Sequence, residues 1–325
     1  MNTFKNKLGA KIVLLHMKEY FGENTTIRDL ISDERVGKYM PYLYYAKSYL
    51  NNVINQTITE TAPYGLEGFN FLKEQVLLGN VEQFFVSKEK PDVSIIHITH
   101  KNNSKVIFVL SGGGLYSVCH GIEGLPIAYE LFNKGFDIFL LTYSIDDGAY
   151  KNGPLDDLAS AISFCLAYEK ELKIDMSNYI VLGASAAGFV AGHFGTTKNG
   201  YLKYKLPKPG LLALIYPVIN LRTCLNEQTA IYCLRREYSE ENLHNWGIDE
   251  NVDSNYPKTF ILHSKDDPIV TFENAERMVK ALRKYHIPYF SKFYETGGHG
   301  WSIAKNDPAK GWTNLLEEYY EKEQN

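Results

Sequence analysis

At 325 residues the chain has the length of one large domain, or of one domain with an appendage, and can bury a core without disulfide or metal staples. Hydrophobic residues make up 45% and charged residues 22%, which excludes a disordered chain, a collagen-like chain and a coiled-coil rod. With 34 Lys and Arg against 38 Asp and Glu the net charge is −4, and the absence of any basic block argues against nucleic acid or a polybasic membrane anchor.

The opening stretch, MNTFKNKLGAKIVLLHMKE, has an apolar run broken by Lys11, too short for a secretory h-region and followed by no small-residue cleavage site. No run of 18 apolar residues is present, so a soluble, cytoplasmic protein is expected. Over the first 80 residues apolar positions recur at helical spacing. Helices are expected over Thr3–Phe21, Thr26–Ile31, Tyr39–Ile54 and Leu66–Leu78, punctuated by Pro41 and Pro63 and stopped by Gly79-Asn80. Short helices bury little alone, so residues 1–80 read as a helical extension of a body spanning 81–325.

From Val81 the texture changes. Val81–Val86 and Val93–Thr99, separated by KEKPD, predict a β-hairpin. Then strands alternate with helices: VIFVL (106–110), a helix over 122–134, DIFLLTY (137–143), a helix opened by Pro154, YIVLGAS (179–185), a small-residue helix from Ala186 and LLALIYPV (211–218). TFILHS (259–264), a helix over 272–285, YFSKFYET (289–296) and a helix from Pro308 to Glu321 complete the series. Strands apolar on both faces and interleaved with helices imply a mostly parallel sheet covered on both sides. The expected fold class is α/β, with a mixed eight-stranded sheet. Residues 219–256 interrupt the rhythm and read as a cap or lid insertion.

In such sheets chemistry lies beyond the carboxyl ends of the strands. Four strand ends carry reactive or glycine-rich sequences. Gly183-Ala184-Ser185-Ala186-Ala187-Gly188 follows one strand and opens a helix, the setting in which a sharp turn between small residues presents a serine hydroxyl. Ser111-Gly112-Gly113-Gly114 follows an earlier strand; backbone N–H groups of Gly113 and Gly114, with that of Ala186, form a candidate oxyanion hole. Neither a Walker motif nor a dinucleotide fingerprint fits, because G-K-[ST] and G-x-G-x-x-G are both absent. Ser264-Lys265-Asp266-Asp267 and Gly297-Gly298-His299-Gly300 follow the last two strands. The chain order Ser, Asp, His matches one architecture of the triad in which His takes the Ser proton and a carboxylate orients the His.

Residues 105–302 resemble the α/β-hydrolase superfamily, and more narrowly the small esterases and lipases of its carbohydrate-esterase or hormone-sensitive-lipase-like branch. GGGLYSVCHGIEGLPIAYELFNKGFDIFLLTYS is similar to that branch's oxyanion loop and the elements after it, GASAAG to its elbow, and DDPIV and GGHG to its acid and base loops. The loop begins with Ser111 where the branch usually has His or Pro, and Ala187 stands where Gly is usual; neither change removes a triad member. The resemblance implies Ser185 as nucleophile and His299 as base. It selects Asp267 over Asp266 as acid, because Val270 stands three residues after Asp267, as in the branch's D-x-x-V pattern. It also implies hydrolysis of a small or short-chain acyl ester, an acylated carbohydrate among the candidates, through an acyl-enzyme, with a small-molecule partner and no metal or organic cofactor.

Other residues have blander expectations. His97 and His100 are three apart in a strand and make a poor metal pair. His120 reads as a pocket-lining or surface residue, His193 as pointing away, and His263 as structural. Asp156 and Asp157 suit a helix N-terminus. Glu123 stands at a position the branch also uses, with bracing as its expected job. Cys119, Cys165, Cys224 and Cys233 form no C-x-x-C pair, and Cys119 lacks an elbow. Tyr116, Tyr216, Tyr232 and Trp301 are candidates to line a sugar or aryl site, with core burial as the alternative. Rival readings are a peptidase, thioesterase or acyltransferase on the same scaffold, a non-catalytic binding protein of this fold, and a dimerising or pocket-covering role for the N-terminal helices.

Overall fold

The computed structural model describes residues 20–46, 49–149, 152–223 and 239–322. The expected helix over Thr3–Phe21 lies almost wholly outside them, as do Cys224, Tyr232, Cys233 and the centre of the 219–256 segment.

Eight strands form one sheet: β1 (Val81–Phe85), β2 (Ser94–Ile98), β3 (Ser104–Leu110), β4 (Asp137–Thr142), β5 (Ile174–Ala184), β6 (Leu211–Ile215), β7 (Thr259–Ser264) and β8 (Tyr289–Tyr294). Their spatial order is β1-β2-β4-β3-β5-β6-β7-β8. The β1–β2 hairpin is antiparallel, β2 pairs antiparallel with β4, and every later pairing is parallel. The expected α/β fold with a mostly parallel eight-stranded sheet is therefore the observed one.

Side-chain alternation explains the layers. Along β3, Val106, Phe108 and Leu110 enter one core while Ile107 and Val109 enter the other. The first core is roofed by the helices Gly153–Ala167, Ala186–Phe194 and Glu273–Lys284. The second is covered by Leu125–Phe132, Trp312–Glu321 and the N-terminal helices Ile27–Ser32 and Gly65–Leu77. Burial on both faces is why these strands read as continuous apolar runs.

Beyond β3 the chain crosses to β4 on one side and then returns to β5 on the other, so the order in which strands are added reverses between the parallel neighbours β3 and β5. Leu110 pairs with Gly183 at the last rung. The loops leaving these two strands thus open side by side at the switch point, where open α/β sheets place their ligands.

Three expectations change in detail. The helix read over Tyr39–Ile54 is broken into Met40–Leu43 and Tyr49–Val53, because Tyr45 leaves helical geometry to exchange backbone hydrogen bonds with Val118 (3.1 and 2.8 Å). Strand β5 begins at Ile174, five residues before the predicted start, where Ser104 of β3 offers it a parallel partner. The last helix starts at Trp312, after Gly311 at φ 75°, instead of at Pro308. Among the described residues, the flanks of the 219–256 segment join the body: Leu243, Ile248, Val252 and Tyr256 are buried in the first core.

Candidate active site

Ser185 stands between β5 and the helix Ala186–Phe194 with φ 55° and ψ −125°, a backbone conformation that an L-residue holds only under constraint. The constraint is visible. Its N–H donates to Ile215 O (3.0 Å), and its carbonyl accepts from Gly188 N (2.9 Å) and Val218 N (3.0 Å). The turn leaves Oγ 2.8 Å from His299 Nε2.

His299 is carried by the glycine-rich loop after β8. Its Nδ1 lies 2.7 Å from Asp267 Oδ2. The other Asp267 oxygen accepts the N–H groups of Ile269 and Val270, each at 2.9 Å. His263, buried at the end of β7, directs Nε2 at Val270 O (2.9 Å) and lies 3.3 Å from Asp267 Oδ2. Burial alone would raise the Asp267 carboxyl, but hydrogen bonds from His263 and His299, with the His299 charge and the Ile269 N–H, hold it well below the usual carboxylate range. Asp266 turns the other way and accepts from Gly298 N (2.8 Å) and Gly297 N (3.3 Å), tying the histidine loop to the end of β7.

Opposite Ser185 lies the glycine run after β3. A Cβ on Gly112 would stand 2.7 Å from Ser185 Cβ, so only glycine lets the two loops approach this closely. Gly113 has φ 130°, outside the range of other L-residues. Ser111, at the place where the resembled branch has His or Pro, donates or accepts through Oγ at 2.8 Å from His120 Nδ1, and its carbonyl accepts from Tyr143 OH (2.6 Å). His120 is therefore neither in the pocket nor at the surface. It is buried beneath the loop, and burial pushes its pKa down to about 4.

A cavity of about 210 Å³ opens over these groups. Gly112, Gly113, Gly114, Ser185, Ala186, His299 and Gly300 line one part together with Glu123, and Tyr116, Cys119, Ile122, Val218, Ile269 and Val270 give the rest a mostly apolar wall. Burial raises the Cys119 thiol to about 11, which removes it as a nucleophile near neutral pH. Of the other aromatics read as lining candidates, Tyr216 and Trp301 are buried, with the Tyr216 ring 5.0 Å from that of His299.

The remaining candidates are placed elsewhere. His97 bonds Asp137 (3.0 Å) and stacks on Phe139, while His100 bonds Phe132 O (3.0 Å). His193 bonds Trp246 O (2.8 Å). Asp157 accepts from Ser144 N (2.7 Å) and pairs with Lys90 (2.6 Å), and Asp156 accepts from Tyr204 OH (2.6 Å). Among the described residues no group of three or more His, Cys, Asp or Glu side chains is arranged to hold a metal, and no helix is long and apolar enough to cross a membrane. The sequence reading missed how much of the site rests on His263 and Tyr216. Their only signal was position at a strand end, which many inert residues share.

Comparison with known proteins agrees with this architecture. The chain is 28% identical over 216 residues to endo-1,4-beta-xylanase B from Butyrivibrio fibrisolvens, covering 64% of this chain and spanning about a third (34%) of that curated relative. Among solved structures it is similar to an acetyl ester-xyloside bifunctional hydrolase from Caldicellulosiruptor lactoaceticus (28% identity, TM-score 0.63, 71% of this chain and 88% of that one). A carboxylesterase from Lactobacillus plantarum, at 19% identity and TM-score 0.64 over 75% of this chain and 98% of that one, shares the fold. The model of the prolyl oligopeptidase family (Peptidase_S9) matches residues 144–324, more than half of the 325-residue chain. The α/β-hydrolase sheet and the family match together lead to one conclusion: this chain belongs to the prolyl oligopeptidase family of α/β-hydrolase-fold proteins.

Proposed function

We propose that the chain is a serine carboxylic-ester hydrolase for small or short-chain acyl esters, with acylated carbohydrates as the favoured substrate class. The observation that carries this reading is the unbroken hydrogen-bonded run Ser185 Oγ, His299, Asp267 beside a glycine loop at the mouth of a cavity.

In this mechanism His299 Nε2 takes the Ser185 proton as Oγ attacks the ester carbonyl. Asp267 holds His299 with its proton on Nδ1 and stabilises the imidazolium that forms. The N–H groups of Gly113, Gly114 and Ala186 stabilise the developing oxyanion; the first N–H groups of a helix have no partner within it. His299 then protonates the departing alcohol, and a water activated by the same imidazole releases the acid from Ser185. Ile122, Val218, Ile269 and Val270 in the cavity wall offer apolar contacts to a short acyl group on Ser185. The carbohydrate side draws on the similarity to an acetyl ester-xyloside hydrolase and a xylanase.

The test is hydrolysis of p-nitrophenyl esters from acetate to decanoate by wild type and Ser185→Ala. The expected outcome is a rate highest for acetate or butyrate that drops by at least about 10³-fold in the variant. Full activity of Ser185→Ala would sink the assignment. A second reading, peptide hydrolysis, is favoured by the family match. Turnover of a prolyl p-nitroanilide in preference to every ester would replace the first reading with it.

A further inference from the structure

Glu123 is buried at 6% exposure, yet both its carboxylate oxygens are engaged by groups from different loops. Gly112 N–H, after β3, donates to Oε2 at 2.6 Å. Tyr216 OH, after β6, donates to Oε1 at 2.7 Å. The Tyr216 hydroxyl in turn accepts the N–H of Ser302, after β8, at 3.2 Å, and Ser302 Oγ donates to the Glu123 carbonyl at 3.1 Å. One side chain therefore joins the glycine loop, the end of β6 and the segment three residues beyond His299. A buried carboxylate is costly unless its oxygens are hydrogen-bonded, and here each is.

The consequence for the site follows from peptide geometry. Gly112 C=O accepts from Cys119 N at 3.1 Å. That carbonyl shares a peptide plane with Gly113 N–H, and in a trans peptide the two point in opposite directions. Clamping Gly112 at its N–H by Glu123 and at its C=O by Cys119 thus fixes the direction of Gly113 N–H. Tyr216 carries the same constraint to the ring of His299, 5.0 Å away.

We propose that Glu123 is a positioning residue that aligns the oxyanion loop with the His299 loop, acting through Gly112 and through Tyr216. This rests on the ester-hydrolase reading. The test compares wild type with Glu123→Gln and Tyr216→Phe, measuring ester kinetics and the inhibition constant of a short-chain trifluoromethyl ketone, whose tetrahedral adduct places an oxyanion where the ester's would form. Glu123→Gln is near-isosteric, but its one carbonyl oxygen cannot accept from both Gly112 N–H and Tyr216 OH. It should lower kcat by about 10- to 10²-fold, with KM changed little. The ketone's inhibition constant should rise in proportion to the loss in kcat/KM. Tyr216→Phe should lose less, and the double variant should be no worse than Glu123→Gln. A folded Glu123→Gln protein with wild-type kcat and ketone affinity, or additive losses in the double variant, overturns the proposal. Turnover retained by Ser185→Ala takes down the ester-hydrolase reading itself, and this proposal with it.

Discussion

Two neighbouring aspartates show how one residue step separates roles. Asp267 faces His299 Nδ1 at 2.7 Å, while Asp266 accepts backbone N–H groups of Gly297 and Gly298. Asp267→Asn removes the charge and presents an amide that favours the wrong His299 tautomer; kcat should fall by about 10³–10⁴-fold. Asp266→Asn keeps an acceptor for Gly298 N–H, so the loss should stay below about tenfold, the scale of one ordinary hydrogen bond. Steady-state kinetics of the two variants side by side checks the pair, and the reverse ranking would reassign the acid. Chain order alone left both aspartates open; the D-x-x-V resemblance separated them, and the hydrogen bonds supply the physical reason. For His120 the sequence offered no such handle, because burial beneath the glycine loop depends on Ser111 folding down to meet it.

At the scale of elements, the site is a meeting of two turns. The loops after β3 and β5 touch because their strands are neighbours and Leu110 aligns with Gly183. Gly112→Ala would drive a Cβ to 2.7 Å from Ser185 Cβ and 3.1 Å from Ala184 O. Neither atom is the end of a flexible side chain, so the glycine loop must move. Activity on short esters should fall by about 10²-fold or more, comparable to losing an oxyanion donor. Circular dichroism should meanwhile report an intact sheet. The glycine run, the elbow and their strand ends were legible because apolar runs and small-residue turns are local features. The break at Tyr45 was not, because its backbone partner Val118 lies 73 residues away in sequence, and a non-local pairing overrode helical spacing.

Across the whole molecule, the N-terminal helices share a core with the sheet. Ile27, Leu30, Tyr39, Met40, Leu43, Phe69 and Leu72 belong to one buried cluster with Ile96, Ile98, Leu125 and Leu140. Deleting the residues before Gly79 should expose one face of the sheet and abolish cooperative thermal unfolding; a deletion variant with an intact transition would show that the body stands without them. Stability should also depend on pH through two buried histidines. Burial pushes His120 and His193 down to about 4, against about 6.5 for an unfolded histidine. With folded values below unfolded ones, their contribution is complete above pH 6.5 and is lost as pH falls through 4. Each costs at most about 1.4 kcal/mol of stability per pH unit in that window. Denaturant unfolding at pH 7.5, 6 and 5 should show the decline, and His193→Gln should flatten it.

The sequence by itself determined the α/β class, the hairpin followed by parallel strands, and the strand ends at which Ser185, Asp267 and His299 stand. These depend on side-chain periodicity and turn chemistry, which are written locally in the chain. Tertiary structure alone decided that Glu123 spans three loops, that His263 stands behind Asp267, and that Tyr45 pairs with Val118 instead of continuing a helix. For Glu123 with Tyr216 and for Tyr45 with Val118 the deciding force is a hydrogen bond between groups far apart in sequence, and for His263, only four residues from Asp267, it is burial at the end of β7; each depends on a setting that exists only once the sheet has formed.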